Sequence, residues 1–246
     1  LPNLLTAVVR NTAKGRPNLG LFEIGPQFLK DTEAGQQTVA GILRSASIVG
    51  RHWLSEPRNV DLFDVKADCL SLLEDLGLVA ANLSLSAGAS DWYHPGRSGQ
   101  IKLGPKTVLG YFGELHPNIL SELELEGQVV GAEVFLSNVP IPRLKKSRVR
   151  PGLNSRDLPS VDRDFAFLVK EDIQVGELLR AIRSVSGKDS TKSTFSEVNL
   201  FDVYSGKGIT AGSKSVALGV TINPQLETLT EKDIRRISDS IIQKVE

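Results

Sequence analysis

Two stretches late in the chain, Leu200-Phe201-Asp202-Val203-Tyr204 and Lys214-Ser215-Val216-Ala217-Leu218, are built from β-formers and flank a loop containing Gly206 and Gly208. They predict a hairpin, because glycine supplies the positive φ that loops need, while β-branched and aromatic residues suit a pleated surface. Side chains alternate between the two faces of a strand. Counted by twos, Phe201 and Val203 fall with Val216, Leu218, Val220 and Ile222, whereas Asp202, Tyr204, Ser215, Ala217, Gly219 and Thr221 fall on the other side. One face is bulky and apolar and has to be buried. The other is low and polar with a single ring, which suits a flat ligand such as an unstacked base. Val198 and Leu200 are out of phase with Phe201 and Val203, so a bulge is predicted near residue 200.

An upstream strand shows the same division, with Phe165, Phe167 and Val169 alternating with Asp164, Ala166 and Leu168. Ala166 belongs to the low face. Between these strands Val175, Leu178, Leu179, Ile182 and Val185 recur at helical spacing and can seal the bulky face. After the last strand, Thr230-Glu231-Lys232-Asp233 resembles a capping box and precedes an apolar stripe of Ile234, Ile237, Ile241, Ile242 and Val245. The order is β-α-β-β-α, a ferredoxin-like pattern short of its last strand. With the chain stopping at Glu246, the first strand is expected to keep an open, adhesive edge.

The earlier part reads differently. A helix is predicted through Leu4, Leu5, Val8 and Val9, followed by strands near 19–29, 37–47, 82–87, 99–103, 107–114 and 129–136. A helix near 64–76 stops at Gly77, and a short one starts at Pro117. This is an α+β pattern with a largely antiparallel sheet. The expected division is residues 1–142, a basic linker 143–156, and residues 157–246. The linker holds Arg143, Lys145, Lys146, Arg148, Arg150 and Arg156, no acidic residue, and Pro151 and Gly152. Its cations either lie against phosphates or simply extend a solvated tether. Residues 1–142 carry 11 basic and 15 acidic residues, net −4, and residues 143–246 carry 18 and 14, net +4. The zero net charge of the whole hides a basic half, and that half holds the proposed ligand face.

Several chemistries are disfavoured. The single Cys69 cannot form an internal disulfide and lies on a helical stripe with Val65, Leu72, Leu73 and Leu76, as expected of a buried thiol in a cytoplasmic protein. His52, His94 and His116 lack zinc-ligand spacing, and the two His-Pro pairs are expected to order turns. Asp91, His94 and Ser98 are near in sequence, but a triad needs a hydrogen-bonded geometry that spacing does not provide. Gly206-Lys207-Gly208 precedes a strand rather than a helix and is no phosphate loop. Trp53, Trp92 and Tyr93 read as packing residues or interface anchors, with packing the simpler reading. No apolar run approaches the ~20 residues that cross a bilayer. The chain opens on Leu1 and contains no methionine, which reads as an internal piece of a longer product.

Several of these residues form motifs that resemble a known family. Pro159-Ser160-Val161-Asp162-Arg163-Asp164-Phe165-Ala166-Phe167, Phe201-Asp202-Val203-Tyr204-Ser205-Gly206, Lys214-Ser215 and Thr228-Leu229-Thr230 are similar to the anticodon-binding domain of the bacterial phenylalanyl-tRNA synthetase β subunit. Leu1-Pro2-Asn3-Leu4-Leu5, Leu21-Phe22-Glu23-Ile24-Gly25, Phe63-Asp64-Val65-Lys66-Ala67-Asp68, Tyr93-His94-Pro95-Gly96-Arg97-Ser98 and Gly113-Glu114-Leu115-His116-Pro117 resemble the catalytic-like domain that precedes it. The motifs occur in the family's order along essentially the whole chain.

The resemblance implies a C-terminal fragment with a class II synthetase-like antiparallel domain and a ferredoxin-fold anticodon-binding domain. It implies a parent ligase that uses ATP and magnesium to join phenylalanine to its tRNA, as a cytoplasmic α2β2 heterotetramer. Aminoacylation is assigned to the α subunit. In agreement, Leu21–Gly25 has no arginine of the kind that class II enzymes use to hold ATP. No catalytic, metal or cofactor-binding residue is therefore expected in this piece. Tyr204 is expected to stack on an anticodon base, Asp202 and Ser215 to bond base edges, Ala166 to leave room, and Arg163 to meet a phosphate or the neighbourhood of Asp164. The rival reading is a stand-alone ferredoxin-like regulatory module that binds RNA or a small molecule.

Overall fold

The six strands predicted before residue 142 form one antiparallel sheet. They are β1 (Leu19–Phe28), β2 (Gln36–Ser45), β3 (Leu83–Ser86), β4 (Tyr93–Leu103), β5 (Thr107–Leu115) and β6 (Val129–Phe135), in the order β1-β2-β6-β5-β4-β3. The computed structural model describes residues 1–48, 52–54, 56–141, 158–186, 193–225 and 227–245. The chain divides into two compact units, Leu1–Ser147 and Arg148–Glu246. The expected basic linker, 143–156, lies outside the described residues.

Helices cover both faces of the first sheet. Helix α2 (Leu62–Asp75) places Val65, Cys69 and Leu73 against Ile101, Phe112, Val130, Ala132 and Val134. Helix α1 (Pro2–Thr12) places Leu4, Leu5 and Val8 on the opposite face with Leu43, Tyr93, Leu115 and Val129, joined there by Ile119 and Leu120 of the short α3 (Pro117–Glu122). Asp61 caps α2: its side chain accepts from the amides of Phe63 and Asp64, and the Asp64 carboxylate accepts from the Asp61 amide. Arg58 and Arg44 tie this helix down through Asp64 (2.6 Å) and Asp68 (2.7 Å). The helix ends where predicted, at Gly77 with φ 91°, a left-handed position suited to glycine. Burial pushes the Cys69 thiol up to about 12, which leaves it protonated and inert.

β4 begins six residues before its predicted start at 99, because its pairing with β5 shifts register between Tyr93 and Ser98 instead of ending there. Two of the family-like motifs meet in this pairing. Tyr93 faces Leu115, Ser98 faces Gly113, and Arg97 Nε reaches Glu114 at 2.6 Å. Gly113 has to be glycine, since a Cβ there would collide with Ser98.

The second unit follows the predicted order: β7 (Val161–Lys170), α4 (Val175–Ser186), β8 (Ser193–Tyr204), β9 (Ser213–Pro224) and α5 (Glu231–Val245). The sheet is antiparallel with β9 in the middle, in the order β7-β9-β8. Thr230 caps α5 as its sequence predicts: its Oγ1 accepts from the Asp233 amide, and its own amide donates to the Asp233 carboxylate. Leu178 and Ile182 of α4 and Ile237 and Ile241 of α5 bury Val216, Leu218, Val220 and Ile222. Each such side chain contributes roughly 1.5–3 kcal/mol on burial. Among the described residues nothing pairs with the outer edge of β7.

The predicted bulge is present, between Leu200 and Asp202, and it corrects one expectation. Phe201 does not share the sealed face with Val203. Leu200 pairs with Leu218, Asp202 with Ala217 and Val203 with Val216, so Phe201 is the extra residue. Its ring turns to the open face, 60% exposed, where a Cβ added to Gly219 would meet Phe201 Cδ1 at 3.9 Å. Strict alternation fails because a bulge sets two successive residues against one partner. Val203 keeps the sealed parity but lies on an edge strand and is half exposed.

Candidate nucleic-acid interface

The open face of the second sheet is ordered in rows by its register. Leu168, Ser215 and Tyr204 make one row, and Ala166, Ala217 and Asp202 the next. Beyond them come Asp164, Gly219 and Asn199, then Asp162, Thr221 and Glu197. Adjacent side chains in such rows lie within ~4.5–5.5 Å at Cβ. Four of the five sequence-predicted residues, Ala166, Asp202, Tyr204 and Ser215, therefore lie in two neighbouring rows on one face. Their neighbours on β9 are an alanine and a glycine, so the floor beneath a flat ligand is low.

Arg163 does not join them. It pairs with Val220, on the parity that the helices cover, and its Nη1 donates to the Asp162 carbonyl at 3.1 Å. The physical reason is alternation itself: Arg163 is an odd number of residues from Ala166 and so points the other way.

Tyr204 is held rather than free. Its hydroxyl donates to the Lys207 carbonyl at 3.2 Å, and the ring tip lies against Gly206, where an added Cβ would be 2.9 Å from Oη. The loop after β8 thus fixes the ring while leaving it 47% exposed. A ring already held in place loses little conformational freedom when a base stacks on it.

The charge of this face is negative. Asp162, Asp164, Glu197 and Asp202 all point outward, and the one cation in the rows is Lys170, opposite Ser213 at the end of β7. Thr221 Oγ1 donates to Asp162 at 2.7 Å, which occupies one of these carboxylates. Such a surface accepts hydrogen bonds from amino and imino groups on base edges and repels phosphate. The basic surplus of this half of the sequence therefore lies off the rows. Sequence reasoning missed Phe201 as a member of this face, although the out-of-phase apolar residues around position 200 were the available signal.

In the first unit the histidines order turns. In His52, His94 and His116 alike, Nδ1 accepts from the amide two residues on, that of Leu54, Gly96 and Asn118 at 3.2, 3.1 and 3.2 Å. Ser98 Oγ donates to the His94 carbonyl and not to its ring, so no triad forms. Tyr93 is buried as expected and Trp92 is partly exposed, but Trp53 is 88% exposed and is not a packing residue.

Sequence reasoning also missed Glu133, the one charged residue in Val129–Phe135. It is 5% exposed and accepts from Trp92 Nε1 at 3.0 Å and from the Tyr93 hydroxyl at 3.3 Å. Burial pushes its carboxyl above the ordinary range, opposed by those two donors. Glu133 lines two cavities of about 540 and 460 Å³ beneath the start of α1. Their other charged lining residues are Glu23 and Glu122, with no lysine, arginine or histidine.

A helix-backed antiparallel sheet with an open face of ring, carboxylate and hydroxyl belongs to the ferredoxin-fold class. Residues 157–246 match the family model described as the ferredoxin-fold anticodon binding domain. Residues 1–136 match that of the phenylalanyl tRNA synthetase beta chain CLM domain, and the chain belongs to the phenylalanyl-tRNA synthetase beta chain family.

It is 45% identical over 246 residues to the phenylalanine–tRNA ligase beta subunit of Rhodospirillum rubrum and 42% identical over 245 residues to that of Paramagnetospirillum magneticum. Both alignments cover 100% of this chain and 30% of the relative, so the chain spans about a third of the length of these curated relatives. A pyrrolysyl-tRNA synthetase from Desulfitobacterium hafniense superposes with a TM-score of 0.41 at 16% identity, over 56% of this chain and 45% of that one, too distant to bear on fold or function.

Proposed function

We propose that this chain is a tRNA-positioning, non-catalytic part of a phenylalanine–tRNA ligase β subunit. Residues 157–246 receive the anticodon stem-loop on the open face. Residues 1–142 form a scaffold for an α subunit, and 143–156 join the two. The whole ligase, in this reading, is a cytoplasmic α2β2 assembly in which the α subunit joins phenylalanine to its tRNA using ATP and magnesium. Tyr204 stacks on a base, Asp202 accepts from a donor on its edge, Ser215 bonds beside it, and Ala166 leaves the space open. Arg163, on the other parity, serves a phosphate that passes the rim or has no RNA role.

The observation that carries this reading is the gathering of Tyr204, Ser215, Asp202 and Ala166 on the one sheet face that the helices leave uncovered. The non-catalytic part is supported by the two cavities that Glu133 lines, whose charged side chains are all acidic, and by a third, whose Arg44 is already paired with Asp68; nucleotide phosphates need free cations. These residues do not fit magnesium either: among the described residues no three of His, Cys, Asp and Glu come together at one point.

The test is fluorescence anisotropy of a labelled phenylalanine anticodon stem-loop titrated with the 246-residue chain, against the same stem with a scrambled loop. The anticodon loop is expected to bind tighter. Tyr204→Ala is expected to weaken it by about five- to a hundredfold, the value of ~1–3 kcal/mol for one stacked base. Equal binding of both loops, with Tyr204→Ala unchanged, overturns the reading. Co-purification with a co-expressed α subunit tests the scaffold separately.

A further inference from the structure

We propose that Phe201 is a second stacking platform on the open face and receives another anticodon-loop base than the one that Tyr204 holds. The inference rests on the RNA-binding reading above and extends it to a residue for which strict alternation gives a place in the core.

The bulge does two things at once. Without it, Asp202 and Tyr204 would continue the phase of Val198 and Leu200 and lie under the helices. With it, Val203 takes the sealed parity opposite Val216, and Asp202 and Tyr204 come out opposite Ala217 and Ser215. The additional residue is left on the open side. A bulge serving only to shift the phase is satisfied by any residue, and a small polar one suits an exposed position best. This one is phenylalanine, 60% exposed, beside Gly219 and Ala217 on a surface whose other large apolar members are Leu168 and Tyr204.

The ring lies near Gly219, in the row of Asp164 and Asn199. That row offers what a base needs around its ring. Gly219 leaves the floor flat, the Asn199 amide both donates and accepts, and the Asp164 carboxylate accepts. Between this row and the row of Tyr204 lies only the row of Ala166, Ala217 and Asp202. The two rows are four residue rises apart, Ser215 to Gly219, roughly 13–14 Å. An extended single strand with two of its bases unstacked can lay one on each ring. The occupant is RNA and not an apolar protein segment, because the rows around the rings carry four carboxylates, which apolar partners leave unsatisfied on burial.

The experiment uses the full chain and stem-loops carrying 2-aminopurine at each anticodon-loop position in turn, alongside anisotropy. Phe201→Ala is expected to weaken binding by about five- to a hundredfold and to abolish the quenching of 2-aminopurine at one position. Tyr204→Ala abolishes it at a different position. Phe201→Leu, which keeps apolar bulk without a ring, is expected to behave as Phe201→Ala, and Phe201→Trp to restore binding. The slope of log affinity against log salt stays unchanged in all three, since a ring touches no phosphate. If Phe201→Leu binds as the parent does while Tyr204→Ala weakens binding, Phe201 is not a platform and the anticodon reading survives. If the parent itself fails to distinguish the two loops, that reading fails and takes this inference with it. Phe201→Leu decides the matter should Phe201→Ala fold poorly.

Discussion

Tyr204 shows how much of a proposed stacking residue is set by its immediate neighbours. Its parity is local and follows from counting, but its orientation depends on the loop, where the Lys207 carbonyl takes the hydroxyl and Gly206 makes room for the ring tip. Gly206→Ala therefore tests the site without touching the face. The new Cβ would sit 2.9 Å from Oη and 3.0 Å from Cζ, too close for real contacts, so the ring has to tilt. We expect affinity for the anticodon stem-loop to fall by up to about tenfold, part of the ~1–3 kcal/mol that a whole ring contributes, with the melting temperature nearly unchanged. A Gly206→Ala chain that binds as the parent does would show that the position of the ring does not matter. Arg163 teaches the converse. Its charge suits a phosphate contact, yet pairing with Val220 sets it on the side of the sheet away from the proposed face.

At the scale of the element, caps and stripes were legible and the bulge only partly so. The Thr230/Asp233 cap, the stop at Gly77 and the start at Pro117 are short-range chemistry, and all form where the sequence places them. The Asp61/Asp64 box on α2 was not anticipated, nor its clamp by Arg58, because that contact depends on the path of the chain before the helix. The hydrogen bond from Arg58, chiefly, holds the Asp64 carboxyl below its ordinary value of 3.8, against the opposing effect of burial. A carboxyl depressed in the folded state stabilises it above the unfolded value, and that contribution is lost as pH falls through the folded one. The parent is therefore expected to lose stability below about pH 4 more steeply than Arg58→Ala does. Both tryptophans lie in the first unit, so urea titrations followed by tryptophan fluorescence at pH 6, 4 and 3 report on it. Parallel curves for the two proteins would remove Arg58 from the account.

For the whole molecule, charge and shape are divided between different stretches of chain. The second half is net positive, while its open face carries four carboxylates and a single lysine, Lys170, at its end, so most of its cations lie off that face. The six cations between Arg143 and Arg156 are the natural source of phosphate contacts. Replacing Lys145 and Lys146 with Gln is expected to reduce the slope of log affinity against log salt by about 1.4, near 0.7 for each single-strand phosphate released. An unchanged slope would make this stretch a tether. What the sequence by itself determined was everything with a short period: the strands and helices, their apolar stripes, the β-α-β-β-α order, the burial of Cys69 and the face on which Ala166, Asp202, Tyr204 and Ser215 lie. Only the tertiary structure decided which rows those residues share, that the bulge puts Phe201 beside them, that Arg163 stands apart, and that Glu133 is buried over a cavity. Alternation is a property of one strand. Register and strand order depend on contacts between residues tens of positions apart, which no local count contains.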